Sequence, residues 1–314
     1  MQGTVETPIY KLYEDSSTNN QIYIKREDLL PFSLGGNKVR IARELFSDMK
    51  EKRCNMMLIY GNSRSNLCRV LANLCRRKRI DCYMICSGES EKEQAADTSN
   101  SRMIHLLGTS VISCEKSNIA ETVESTMRML KAEGKKPYYI YGNQYGKGNE
   151  GVATRAYAKA YREMQSFDYI FHASGTGATQ AGLVCGHLAA GDATKIVGIS
   201  VSRDTVRGKE IIKESIRQYM ELEGISEPKD CENEIILTDQ YRAGGYGVYH
   251  QPIVDTIVDM FQNYGIPLDP TYTGKAFWGM EQFIKEKGIK NQKILFLHTG
   301  GTPLFYDWLY QQKR

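Results

Sequence analysis

The sequence predicts an α/β fold, doubly wound around parallel sheets. Three observations carry that expectation. Strand-sized apolar runs alternate with helix-sized amphipathic stretches over most of the chain. The apolar runs are continuous rather than alternating, as strands covered on both faces require. Glycine-rich loops directly follow several of these runs, where parallel crossovers turn from strand to helix.

Taken in order, Met56 to Tyr60 reads as a buried strand and Ser65 to Arg77 as a helix. The basic run Arg76-Arg77-Lys78-Arg79 then closes that helix, since cations suit a helix C-terminus. Asp81 to Ser87 reads as a strand, Asn100 to Leu107 as part of a helix, Ser110 to Ser113 as a short strand, and Ile119 to Glu133 as a long helix. Strands follow at Tyr138 to Tyr141, Tyr169 to Ala173 and Lys195 to Val201, with helices at Glu150 to Gln165 and Ala178 to Ala190 between them. A last apolar strand, Ile294 to Leu297, ends at His298. Loops fall at Ser33 to Asn37, Tyr141 to Gly151, Ser174 to Gly177, Ala243 to Gly247 and Thr299 to Pro303. Ligands of open α/β sheets sit at the carboxyl ends of the strands, so these loops are expected to hold the site.

The 314 residues, 41% of them hydrophobic, suffice for one large or two medium domains without disulfide or metal staples. A net charge of +4, from 41 basic against 37 acidic side chains, is too mild to imply a nucleic-acid partner. The longest apolar runs fall well short of the ~20 residues that span a bilayer, so no membrane association is expected. Met1 to Tyr10 has neither a basic nor an apolar signal region, and the cytoplasm is the expected location. Cys54, Cys68, Cys75, Cys82, Cys86, Cys114, Cys185 and Cys231 are scattered and lack zinc spacing, which suits thiols in a reducing compartment and no metal.

Five segments can carry chemistry. In Ser33-Leu34-Gly35-Gly36-Asn37-Lys38-Val39-Arg40, two glycines permit close backbone approach to a ligand. Lys38 there opens a helix, where a cation is unfavourable unless its amine is engaged or its pKa lowered; a surface lysine after a glycine turn is the plainer alternative. Tyr169 to Thr179 runs from strand through Ser174-Gly175-Thr176-Gly177 into a helix. Its free N–H groups and hydroxyls suit a single phosphate. It lacks both the P-loop ending and dinucleotide spacing. Tyr60 to Arg69 again runs from strand to helix. Ser65 or Asn66 either caps that helix or adds a bound carboxylate to the same N–H groups. Leu268 to Lys275 and His298 to Pro303 are polar and turn-rich, with His298 more naturally a backbone-satisfied histidine than a catalytic one.

Taken in chain order, the five segments resemble the fold-type II pyridoxal-phosphate enzymes, the tryptophan synthase β-like group. Within it they are most similar to the branch of D-cysteine desulfhydrase and 1-aminocyclopropane-1-carboxylate deaminase. Thr7-Pro8-Ile9-Tyr10, Ile24-Lys25-Arg26-Glu27-Asp28-Leu29, Gly35 to Arg40 and Leu268 to Lys275 carry the resemblance, which runs from about Thr7 to Pro303. It implies two doubly wound open-sheet domains: a large one from 1–45 and 152–314, and a small inserted one, 46–151, with the substrate-carboxylate loop. It implies pyridoxal 5'-phosphate as cofactor, a small amino acid as substrate and a homodimer. Lys38 resembles the lysine that carries the cofactor covalently and later moves protons. Asn66 is implied at the cofactor's 3-oxygen, and Ser174, Gly175, Thr176, Gly177 and Thr179 at its phosphate. Ser65, with Asn66 and Leu67, is implied at the substrate carboxylate, or Ser65 as a catalytic group near the α-carbon. Tyr246 and Tyr272 resemble the branch's active-site tyrosines.

Thr273 falls where the deaminase carries a glutamate facing the pyridine nitrogen. A carboxylate there favours a protonated ring and a strong electron sink, which ring opening needs. A threonine hydroxyl donates to a neutral nitrogen and leaves a weaker sink, sufficient when a β-leaving group takes the electrons. The expected activity is therefore β-elimination from a small amino acid, giving pyruvate and ammonia. A β-replacement synthase, racemase or dehydratase, another deaminase, and a non-catalytic ligand-binding protein are the alternatives. Three segments depart from the family pattern: Leu67 replaces a polar residue, Gly61-Asn62-Ser63-Arg64 places Arg64 beside the carboxylate loop, and Gly142-Asn143-Gln144-Tyr145-Gly146 follows Tyr141.

Overall fold

Continuous apolar runs become the inner strands of two separate sheets in the computed structural model, which describes residues 6–88, 97–164, 166–226 and 231–312. The larger sheet takes β1 (Ile9–Asp15), β2 (Asn20–Arg26), β7 (Tyr169–Ser174), β8 (Lys195–Ser200), β9 (Ile236–Thr238) and β10 (Lys293–His298), in the order β1-β2-β10-β7-β8-β9. The smaller holds β3 (Met56–Gly61), β4 (Asp81–Gly88), β5 (Ser110–Glu115) and β6 (Pro137–Tyr139), in the order β5-β4-β3-β6. The α/β class and the two open sheets are as expected.

Ten α-helices cover the sheets among the described residues: α1 (Lys38–Glu51), α2 (Asn66–Lys78), α3 (Ser99–Leu106), α4 (Ile119–Ala132), α5 (Glu150–Ala160), α6 (Ala178–Ala190), α7 (Thr205–Glu223), α8 (Gln251–Tyr264), α9 (Thr273–Glu286) and α10 (Thr302–Gln311). The basic run closes α2 as expected, with Arg79 as its left-handed cap. No helix among the described residues is long and apolar enough to cross a membrane.

Three expectations need correction. The sheet is not wholly parallel, because β1 and β2 form an antiparallel hairpin. The hairpin turns at Asp15, whose carboxylate takes the N–H and hydroxyl of Ser17 and the hydroxyl of Thr18. Its strands mix charges with apolar residues, which hid them. The helix expected from Glu150 to Gln165 ends at Ala160 and gives way to a 3-10 turn, Tyr161–Glu163; Gln165 lies outside the described residues, as do residues 1–5 of the N-terminal reading. The strand expected at Tyr138 to Tyr141 spans only Pro137–Tyr139.

Successive residues of a strand face opposite sides, and the large sheet separates two cores accordingly. Leu295 and Leu297 of β10 join Ile170 of β7 beneath α1, α5 and α6, in a cluster continuous with the small sheet. Ile294 and Phe296 join Ile24 and Phe171 beneath α8 and α9. The parallel strands all point the same way within each sheet, so the loops after β3, β7 and β10 all leave carboxyl ends.

Candidate active site

The lysine segment is anchored from behind by buried charge. Arg40, two residues into α1 from Lys38, donates to Glu27 at 2.7 and 2.9 Å and to Glu163 at 2.8 Å through each of two nitrogens. Lys25 donates to Glu163 at 2.8 Å, and Tyr157 and Thr7 each donate to Glu27 at 2.7 Å. Two cations and two carboxylates balance, with every carboxylate oxygen hydrogen-bonded, the condition under which burial of charge is tolerated.

In front of this network the backbone closes on itself. Gly36 sits at φ +64°, and a Cβ there would stand 2.3 Å from the Thr299 carbonyl oxygen; one on Gly300 would meet the Gly36 Cα at 2.7 Å. The Asn37 N–H donates to that Thr299 oxygen at 3.0 Å. The segment needs Gly36 for this backbone contact with the loop after β10, whereas a Cβ on Gly35 would collide with the Pro31 carbonyl oxygen at 2.4 Å. The Asn37 side chain donates to Thr179 Oγ1 at 2.9 Å. That bond joins the lysine segment to the turn between β7 and α6. Lys38 is half-buried, and loss of water pushes its amine down to about 8. Capture of added cofactor by the cofactor-free protein should therefore accelerate as pH rises through about 8 and then level off. Stopped-flow absorbance would show it, and a midpoint near the ordinary lysine value would refute the lowered pKa.

The turn after β7 leaves its backbone N–H groups open. Gly177 caps α6 at φ +90°. Among the described residues no acceptor takes the N–H groups of Gly175, Thr176 or Gly177. Thr179 accepts from Asn37 and keeps its own hydrogen to donate. Thr179→Ala should raise the cofactor dissociation constant about tenfold or more, because it removes a donor and strands a buried amide, at about 1–3 kcal/mol. Equilibrium dialysis of cofactor against the two proteins measures it, and an unchanged constant would remove this turn from the phosphate site.

After β3, Ser65 is the N-cap of α2 and accepts from the Cys68 N–H at 3.2 Å. Asn66 Oδ1 accepts from Arg69 at 3.1 Å and Asn100 at 3.0 Å, so its amide nitrogen is the group left to donate. Leu67 packs against the core, and Arg64 is exposed. Tyr246 and Tyr272 meet hydroxyl to hydroxyl at 2.8 Å, with rings edge-on at 5.8 Å. Burial raises Tyr272 well above the ordinary phenol value, keeping it a protonated donor. Thr273 is fully buried and donates to Asp269 Oδ1 at 2.9 Å while accepting the Asp269 N–H at 2.9 Å. Its hydrogen is thus directed at a carboxylate rather than left free for a ring nitrogen. His298 is satisfied by backbone: its Nδ1 accepts from Gly300 at 3.2 Å and its Nε2 donates to Pro267 at 3.1 Å.

Three participants escaped the sequence reading. Arg69 is a charge on the buried face of α2. Asp269 gathers the N–H groups of Thr271, Tyr272 and Thr273 at the start of α9. Lys275 donates to the carbonyls of Arg242 at 2.8 Å and Gly245 at 2.6 Å, holding the loop that presents Tyr246. Lys275 had a legible signal, because it stands in the first turn of a helix, the mismatch that marked Lys38.

A lysine amine lowered by burial, a turn with open N–H groups tied to its segment by one hydrogen bond, and an amide nitrogen left to donate are groups that suit the class of enzyme that holds a phosphate-bearing carbonyl cofactor on a lysine. A family model described as "Pyridoxal-phosphate dependent enzyme" matches residues 1–300, and the chain belongs to that family. The chain is 31% identical to a Pyrococcus abyssi protein provisionally named 1-aminocyclopropane-1-carboxylate deaminase, over 96% of this chain and 91% of that one. It is 28% identical to the D-cysteine desulfhydrase of Klebsiella pneumoniae, over 92% and 89%. A solved structure titled as an analysis of the ACC deaminase homologue superimposes with a TM-score of 0.83 at 29% identity, covering 98% of this chain and 94% of that one. The residues fit pyridoxal 5'-phosphate. A Cβ on Gly175 would make only ordinary contacts, with Val201 at 3.7 Å and the Tyr272 ring at 3.9 Å, which places the turn beside an aromatic face, while its N–H groups are left for an anion.

Proposed function

We propose that this enzyme is a lyase that eliminates a β-substituent from a small amino acid, D-cysteine-like in size, giving pyruvate and ammonia. The Asn37–Thr179 hydrogen bond is the observation that carries it, since it sets the reactive amine and the phosphate cradle in one frame. Lys38 holds the cofactor and takes the α-proton. Ser174, Gly175, Thr176, Gly177 and Thr179 hold the phosphate, and Asn66 donates to the 3-oxygen. The N–H groups following Ser65 hold the substrate carboxylate. Tyr272, kept protonated and paired with Tyr246, donates to the departing group. When bound, the cofactor supplies the electron sink for the bond broken at the α-carbon. Thr273, already committed to Asp269, offers the ring nitrogen no strong acid, which favours elimination over opening of a cyclopropane.

The chain order of the sheets supports a division into 1–45 with 152–314 and an inserted 46–151, because every strand of the four-stranded sheet falls within the insert. A homodimer in the cytoplasm is part of the same reading.

The deciding experiment is a panel of small D- and L-amino acids, β-chloro-D-alanine and 1-aminocyclopropane-1-carboxylate, offered to the cofactor-loaded enzyme with keto-acid products identified. Pyruvate from the β-substituted substrates is the expected result. Turnover of the cyclopropane alone would replace the proposal with the deaminase reading.

A further inference from the structure

A guanidinium buried without a carboxylate is costly, and Arg69 is one. It is fully buried on α2, and none of its bonds among the described residues goes to an acid. One nitrogen donates to the carbonyls of Phe32, at 3.3 Å, and Ser33. Another donates to the Leu34 carbonyl at 3.2 Å and to Asn66 Oδ1 at 3.1 Å. An apolar side chain would fill the site more cheaply, so the position asks what the charge does.

The three carbonyls belong to an unusual stretch. Phe32, Ser33 and Leu34 stand at φ +66°, +58° and +58°, a left-handed run that side chains oppose. It lies immediately before Gly35-Gly36-Asn37-Lys38. The same face of α2 holds it again, with Asn73 donating to Ser33 Oγ at 2.7 Å and Arg77 over the Phe32 ring at 5.6 Å. The run is thus shaped from outside, by a helix whose first residue is Asn66.

The fourth bond orients the amide. A guanidinium can only donate, so the Asn66 oxygen must face Arg69. Asn100 then donates to that oxygen at 3.0 Å, and to the Arg64 carbonyl at 2.9 Å. The Asn66 nitrogen is left on the opposite side with both hydrogens. Reversal of this amide would set an N–H against the guanidinium and present an acceptor where a donor is required.

We infer that Arg69 is a positioning residue for the cofactor: it sets the loop that carries Lys38 and the polarity of the Asn66 amide through one guanidinium. The lysine and the donor come from different sheets' connections, and Arg69 ties the two. The inference rests on the reading that Asn66 donates to the cofactor's 3-oxygen.

The test is a double-mutant cycle of Asn66→Ala, Arg69→Met and the pair, on protein reconstituted with pyridoxal phosphate. Two readouts are the cofactor dissociation constant and the visible absorption maximum of the bound cofactor, which responds to the donor on its ring oxygen. Asn66→Ala should raise the constant about tenfold, the weight of one hydrogen bond to a charged oxygen, and displace the maximum. Arg69→Met should do both in the same direction, and the double variant should add little. Should Arg69→Met fail to fold by near-ultraviolet circular dichroism, Arg69→Gln carries the comparison. Its short amide cannot span Asn66 and the three carbonyls, and the same displacement is expected. If Asn66→Ala changes neither readout, the assignment of the 3-oxygen fails. If Asn66→Ala changes them while the folded Arg69 variant keeps the wild-type maximum, or the two effects simply add, the role of Arg69 is overturned.

Discussion

Lys38→Ala will fold, bind pyridoxal phosphate without a covalent link, and lose turnover by at least about 10³-fold, because nucleophile and proton carrier vanish together. The fold should survive because the Lys38 amine makes no hydrogen bond or ion pair among the described residues. Its cationic form is disfavoured by burial and by the helix N-terminus it stands on. A small rise in melting temperature of the cofactor-free variant is expected for the same reason. The check is borohydride reduction followed by mass spectrometry of the peptides. Wild-type protein should carry the reduced cofactor on Lys38, and the variant on no lysine. The structure names the rival in advance. Lys275 is fully buried and also pushed down to about 8, but it faces three carbonyls, those of Arg242, Gly245 and, at 3.5 Å, Val201, a set of acceptors that only the ammonium form, which has no lone pair to offer, can satisfy in full. A cofactor adduct on Lys275 in wild-type protein would defeat the assignment.

Thr273→Glu should both destabilise the protein and change its chemistry. The position is fully buried and bonded to Asp269, whose own carboxyl burial raises to about 6 against the hydrogen bonds that pull it down. A second carboxylate cannot ionise beside the first without compensation, so one of the pair must keep a proton. A carboxyl whose folded pKa lies above its unfolded value stabilises the fold at low pH and loses that contribution as pH rises from the unfolded value through the folded one. For wild-type Asp269 that window runs from 3.8 to about 6. In the glutamate variant it should extend to about pH 8, with a cost of about 3 kcal/mol at neutral pH. Melting curves across pH, with Asp269→Asn/Thr273→Glu as the relieving variant, read this directly; a pH-independent difference would mean the two carboxyls do not meet. In the cofactor-loaded variant, elimination from β-chloro-D-alanine should slow about tenfold, the scale of one hydrogen-bonding group. The wild type should open the cyclopropane of 1-aminocyclopropane-1-carboxylate little or not at all. Efficient opening by the wild type would end the argument from Thr273.

Much of this was legible in the residues because local rules carried it. Met56 to Tyr60, Asp81 to Ser87 and Tyr169 to Ala173 are strands for the reason expected, continuous apolar runs buried on both faces. Ser65 caps α2, and His298 is held by backbone, as their settings indicated. The hairpin β1–β2 was not legible, since a partly exposed strand carries mixed charge. Nor was the end of α5 at Ala160, where apolar periodicity continues into a 3-10 turn.

What belonged to local chemistry was legible along the chain: the strand–loop–helix order, the glycine turns, the open N–H groups after β7 and the misplaced lysine, each set by neighbours a few residues apart. What belonged to pairing across the fold was not. That Gly36 exists for Gly300, that Asn37 reaches Thr179, and that Arg69 faces the carbonyls of Phe32, Ser33 and Leu34 instead of an acid, are decided by contacts between segments up to 264 positions apart. A donor's partner, and so its charge state and direction, is chosen by whichever acceptor the packed chain brings within about 3 Å. Residue type and spacing name the groups able to react, and only the packing says which of them remain free to do so.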